Sequence, residues 1–201
     1  MSVKLATIVA LVLLTLSLIF GFYLNLYFGI SLTLLFVLTQ IYSFWLKNKI
    51  FFDIILIAIN FMIRAICGAF ILNVFISSWF VTGIFFLAMF LILGKRYGES
   101  KDGITKNRKV LEFYTPELMQ TFLIVFLAIL VLFYSMYIIF NHTGYWFLAT
   151  IPVFTLLFLR YFSLIIRDSD FARHAEKLFL RLDLILGFLL WLALFLFAIY
   201  K

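Results

Sequence analysis

Apolar residues run along this chain in long unbroken stretches, and polar residues gather between them. Stretches at 5–24, 26–46, 51–74, 76–94, 118–140, 143–166 and 182–200 are each long enough for a helix to cross a bilayer. The requirement is about 20 residues for a hydrocarbon core of about 30 Å. None shows the strict alternation of a barrel strand, and only helices or closed barrels satisfy their backbone in lipid. The pattern predicts an all-α fold: a polytopic transmembrane helical bundle of seven spans, one integral membrane domain over residues 1–201. Two connections are long enough to do more than turn the chain, 95–117 and 167–181. The first ends in Thr115-Pro116-Glu117, which reads as an N-cap, a proline at the first helical position and an acid in the first turn. The second, RDSDFARHAEKLFLR, is amphipathic and suits a short helix lying on the membrane surface.

Composition supports a bilayer as solvent. Hydrophobic residues make up 67% of the chain, far above the roughly 45–50% of soluble domains. The lone cysteine, Cys67, excludes a disulfide or Cys-rich metal framework. The start, Met1-Ser-Val-Lys4, leads into a run of spanning length with no small-residue cleavage site, unlike a secretory signal.

Charge then orients the bundle. With Lys4 placed inside and the spans alternating, all of the 16 basic residues except Arg64 and Lys201 fall inside or at that boundary. The opposite connections, near Asn25, Asn73 and Asn141–Gly144, carry no Lys or Arg, a positive-inside distribution. The acids cluster on the same side, so polar chemistry is expected at the cytoplasmic face. The net charge of +7 fits this topology and contact with anionic lipid, and no motif suggests nucleic acid.

The candidate site residues come from a few polar positions. Arg64 lies about eleven residues into its span, about 16 Å along the helix from Asp53. Such a charge marks a functional cavity or bonds to a neighbouring helix. Lys95 and Glu99 share a helix face if the helix extends that far, with Arg96 about 100° away; alternatively these are membrane-end anchors. Tyr42 and Lys47 fit either a site or an interfacial belt, and Asp53 either a site or a helix cap. His142 and His174 fall on opposite sides, and neither has partners at metal-ligand spacing.

Several stretches, taken in order, resemble one family. YSFWLKNKIFFDIILIAINFMIRAICGAF, ISSWF, LILGKRYGES and VLEFYTPEL follow the order of UbiA-type prenyltransferases, most closely the decaprenyl-phosphate phosphoribosyltransferase-like branch. The most specific element is Gly94-Lys95-Arg96-Tyr97-x-Glu99. The resemblance implies a nine-helix fold around a cavity open to cytoplasm and membrane, of which this chain matches the C-terminal two-thirds. The first two helices and the first aspartate-rich motif, N-D-x-x-D-x-x-x-D, have no counterpart here. The resemblance also implies transfer of phosphoribosyl from phosphoribosyl diphosphate to a polyprenyl phosphate, with Mg²⁺ on the diphosphate, in a prokaryotic plasma membrane. Without the main Mg²⁺ ligands, the expectation is a transferase inactive alone and completed by a chain supplying the missing helices. The alternative is a non-catalytic membrane subunit, or a lipid-phosphate binder, that kept the fold. By this resemblance Tyr42 and Lys47 form a phosphate-side element. Asp53 and Arg64 are polar positions of the following helix. Lys95, Arg96 and Glu99 replace the second aspartate-rich motif, and Tyr114 lies in a loop capping the cavity.

Overall fold

The computed structural model describes residues 2–101, 114–142 and 144–200, apart from the side chains of 175 and 176. Seven helices among these residues are long and apolar enough to cross a membrane. In chain order the helices are α1 (Val3–Leu24), α2 (Leu26–Phe44), α3 (Phe52–Leu72), α4 (Ser78–Lys101) and α5 (Pro116–Asn141). The short α6 (Tyr145–Leu148) leads into α7 (Thr150–Arg167), and α8 (Ser169–Arg173) precedes α9 (Leu182–Tyr200). The chain is an integral membrane protein built of α-helices.

Local signals set the boundaries. Asn25 joins α1 to α2: its side chain accepts from the N–H groups of Tyr27 and Phe28 while its own N–H donates to the Gly21 carbonyl. Asn73 ends α3 in the left-handed region at φ 52°, which asparagine tolerates better than most residues. Thr115 caps α5 through the Leu118 N–H, with Pro116 first in the helix as its sequence predicts.

Successive helices pack side by side, and α4 is the hub, touching α3, α5, α7 and α8. Its apolar stretch ends near residue 94, but the helix continues to Lys101, so the first part of the expected 95–117 loop is helical. The continuation is possible because α4 remains covered there. A side chain at Gly94 would run into Ile165, and one at Gly98 would sit 2.7 Å from the Ser169 carbonyl. Lys101 closes the end, donating to the Ile166 carbonyl at 2.9 Å. Residues 102–113, the middle of that expected loop, lie outside the described residues. In the expected 167–181 loop, α8 is followed by a 3₁₀ turn over Ala175–Leu180. The main core joins α3, α4, α5, α7 and α8 through Ala58, Phe90, Leu93, Met119, Leu123, Ile165 and Phe171.

Candidate functional site

Four of the residues singled out by sequence meet where the start of α3, the end of α4 and the approach to α5 converge. Asp53 sits in the first turn of α3 and is 1% exposed; Arg96, on α4, is 4% exposed. The Arg96 Nε lies 3.5 Å from Asp53 Oδ2, and its Nη1 donates to Glu99 Oε2 at 2.7 Å. One guanidinium therefore faces two carboxylates. Glu99 is reached from Arg96, three residues back, and the Lys95 side chain points outward, exposed. This separates the two bases of the Lys-Arg pair: Arg96 belongs to the interior and Lys95 to the surface.

Tyr114 completes the cluster and is 1% exposed. Its hydroxyl donates to Asp53 Oδ1 at 3.2 Å and accepts from the Phe51 N–H at 2.8 Å. Burial, reinforced by the neighbouring Asp53 carboxylate, pushes this hydroxyl well above the ordinary tyrosine range, so it remains a donor. The Tyr114 carbonyl accepts from Ser100 Oγ at 3.4 Å, which ties the approach to α5 to the end of α4. Phe51 itself has φ 66° and ψ −36°, a conformation costly for a residue with a side chain. The Tyr114 hydroxyl and edge contacts from its ring to Tyr114 and Phe122 hold it there.

The other candidates stand apart from this cluster. Tyr42 is half-buried near the end of α2, and Lys47 is exposed in the short 3₁₀ turn Leu46–Asn48. Arg64 is exposed on α3, its guanidinium 5.5 Å from the centre of the Phe61 ring. Of the sequence candidates Lys47, Arg64, Lys95, Arg96 and Glu99, the structure brings Arg96 and Glu99 into contact. Asp53 and Tyr114 complete that cluster.

Sequence reading missed a second feature. Two apolar cavities of about 390 and about 460 Å³ lie among α4, α5, α7 and α9. Leu87, Phe154 and Trp191 line both. In their wall Trp191 donates to the Tyr134 hydroxyl at 2.8 Å, and Tyr134 donates to Thr150 at 2.7 Å. The aromatic spacing that builds them is indistinguishable, in sequence, from lipid-facing phenylalanine.

The donor set does not fit a Mg²⁺ site. Magnesium takes one or two carboxylates in octahedral geometry, but both cluster carboxylates are directed at Arg96. Among the described residues no group of three or more His, Cys, Asp or Glu is placed to hold a metal ion.

Fold and site together define a helical membrane protein with an ionic cluster at one end of its core. Its likeness to known proteins is consistent in sequence and structure. It is 31% identical over 147 residues to decaprenyl-phosphate phosphoribosyltransferase of Mycobacterium tuberculosis, covering 70% of this chain and 47% of that one. It is 28% identical over 201 residues to the enzyme of the same name from Mycolicibacterium smegmatis, covering 92% of this chain and 62% of that one. The chain thus spans about half to three-fifths of the length of these curated relatives. A UbiA homolog from Archaeoglobus fulgidus, solved bound to Cd²⁺, shares the fold with a TM-score of 0.71 at 19% identity. That match covers 100% of this chain and 75% of the other. No family model matches the chain. Sequence relatives and fold agree in likening the chain to UbiA-type prenyltransferases.

Proposed function

We propose that the chain is the lipid-phosphate-handling part of a UbiA-type membrane transferase, moving phosphoribosyl from phosphoribosyl diphosphate to a polyprenyl phosphate. The observation that carries this reading is the agreement of sequence relatives, all named for that one activity, over most of the chain. The charge distribution supports it. Exposed Lys47 and Lys95 offer ammonium groups at membrane-end positions, where a lipid phosphate resides. Half-buried Tyr42 lies five residues before Lys47, near the end of α2. The positive-inside charge distribution supports a cytoplasmic position for this face, and likeness to the bacterial relatives supports a prokaryotic plasma membrane.

In this reading a phosphate oxygen of the lipid attacks the anomeric carbon of the donor. The bond from that carbon to the diphosphate breaks, and diphosphate leaves with the electron pair. Lys95 and Lys47 orient the lipid phosphate and reduce its charge repulsion with the donor. Asp53, Arg96, Glu99 and Tyr114 fix the end of α4 that presents Lys95, acting as positioning residues. The apolar cavities accommodate part of the isoprenoid. No step is routed through Mg²⁺. Carboxylates for a diphosphate-bound metal would come from a chain supplying further helices and an acidic motif.

Arg96 occupied by two carboxylates also favours a second reading, a lipid-phosphate binder without turnover. Radiolabelled transfer to polyprenyl phosphate in detergent with Mg²⁺ separates the two. The transferase reading expects background with this chain alone and transfer when a chain bearing the additional helices and acidic motif is added. Background in both arms, with the lipid still bound, supports the binder. Robust turnover by this chain alone would overturn the assignment of Asp53 and Glu99 to Arg96.

A further inference from the structure

Arg64 is in an unusual position for a permanent charge. It lies 11 positions along α3 from Asp53 and 8 before Leu72, the last residue of the helix. At about 1.5 Å per residue these are roughly 16 and 12 Å, so its Cα is near the middle of the hydrocarbon. A charge there is expensive, and arginines within spans are found paired or facing water. Here Arg64 is exposed, and its guanidinium lies 5.5 Å from the centre of the Phe61 ring. No carboxylate or carbonyl among the described residues reaches it.

Arg64 lies on an exposed side of α3. Asn60 is one turn toward the helix start, the direction in which an arginine side chain leans. Its Oδ1 is buried and has no hydrogen-bond partner. One turn the other way is Gly68, where an added Cβ would meet nothing within 4 Å. Small residues of this kind let a second helix approach closely within a membrane. An exposed cation and a notch thus lie in line along one side of α3, with a buried, unsatisfied amide oxygen one turn from the cation.

From this juxtaposition we propose that the Asn60–Arg64–Gly68 face of α3 docks a partner transmembrane helix that carries a carboxylate at mid-bilayer depth. Charge complementarity selects this occupant over the others. Every acid of this chain sits near a span end, so a second copy in the same orientation offers none at Arg64's depth. A lipid phosphate stays at the surface, beyond the reach of a side chain rooted about 16 Å inside. This assignment separates Arg64 from the phosphate-handling residues, and no transfer chemistry enters it.

The test is Förster transfer in phosphatidylcholine vesicles between the labelled chain and a synthetic Leu-Ala transmembrane helix with one central Asp, at pH 8. The Asp helix should associate roughly tenfold more tightly than the same helix with central Leu. Arg64→Leu should abolish that preference, and Arg64→Lys should retain part of it. Moving the Asp to the end of the synthetic helix should weaken association. Equal association of the Asp and Leu helices, or a preference surviving in Arg64→Leu, overturns the proposal. So does displacement of the Asp helix by inorganic diphosphate, which would mark Arg64 as part of a wet anion site. Matching circular dichroism of wild type and both variants establishes that the comparison concerns folded protein.

Discussion

Replacing Arg96 by methionine keeps most of its volume and removes the charge that Asp53 and Glu99 share. The side chains of Arg96 and Asp53 are 5% and 1% exposed, so water screens little of their interaction. Removing one partner of such a buried pair costs about 3–5 kcal/mol, because the remaining buried charge loses its counter-charge. Asp53 keeps the Tyr114 hydrogen bond at 3.2 Å, and Glu99, at 19% side-chain exposure, turns toward water at small cost. Both push the value to the lower end, about 3 kcal/mol, or a hundredfold or more in the folded-to-unfolded ratio. Adding Asp53→Asn should restore about 2 kcal/mol of this, since a neutral amide tolerates the site better than a buried carboxylate that has lost Arg96. The assay is reversible unfolding in mixed dodecylmaltoside–SDS micelles followed by circular dichroism, for wild type, both single variants and the double. A loss under about 0.5 kcal/mol for Arg96→Met, or no recovery in the double variant, would refute the claim that this cluster fixes the end of α4.

Three further outcomes follow from the same geometry. Tyr114 has a pKa raised above the ordinary 10.0, so its contribution is complete below that pH and declines as pH rises beyond it. The wild type should lose stability above pH 10 more steeply than Tyr114→Phe, measured by the same unfolding assay across pH. Gly98→Leu should detach α8 from α4, because the new Cβ falls 2.7 Å from the Ser169 carbonyl and 2.8 Å from Ala172; faster proteolysis after Arg173 checks this. Lys95→Ala, at an exposed position, should change the unfolding midpoint by less than about 0.5 kcal/mol while weakening polyprenyl-phosphate binding.

The legible parts of this molecule are those written in local periodicity. Uninterrupted apolar runs specify the spans, because a helix in lipid needs no tertiary partner to satisfy its backbone. Thr115-Pro116-Glu117 specifies where α5 starts, because a cap is a matter of a few adjacent residues. The end of α4 is less legible: residues 95–101 are polar enough to read as loop, yet Gly94 and Gly98 allow α7 and α8 to cover the helix there. The site divides in the same way. The spacing of Lys95, Arg96 and Glu99 shows that two bases and an acid share a helix end. It does not show which base turns inward, since that depends on Asp53 arriving from α3. Arg96 and Asp53 meet through packing of two helices, and Tyr114 joins them by a hydroxyl that no pattern distinguishes from an interfacial tyrosine. The cavities beside Trp191 are invisible for the same reason, because aromatic residues facing a cavity and facing lipid look alike in sequence.

Whether the charged end of this bundle handles a lipid phosphate is decided by equilibrium binding. Purified protein in nanodiscs would be titrated with a fluorescent polyprenyl phosphate and, separately, with the polyprenol of the same chain length. Phosphate recognition by Lys47 and Lys95 predicts at least tenfold tighter binding of the phosphate, a preference that falls with added salt and disappears in Lys47→Ala/Lys95→Ala. Equal affinity for phosphate and alcohol, or an undiminished preference in the double variant, would contradict it.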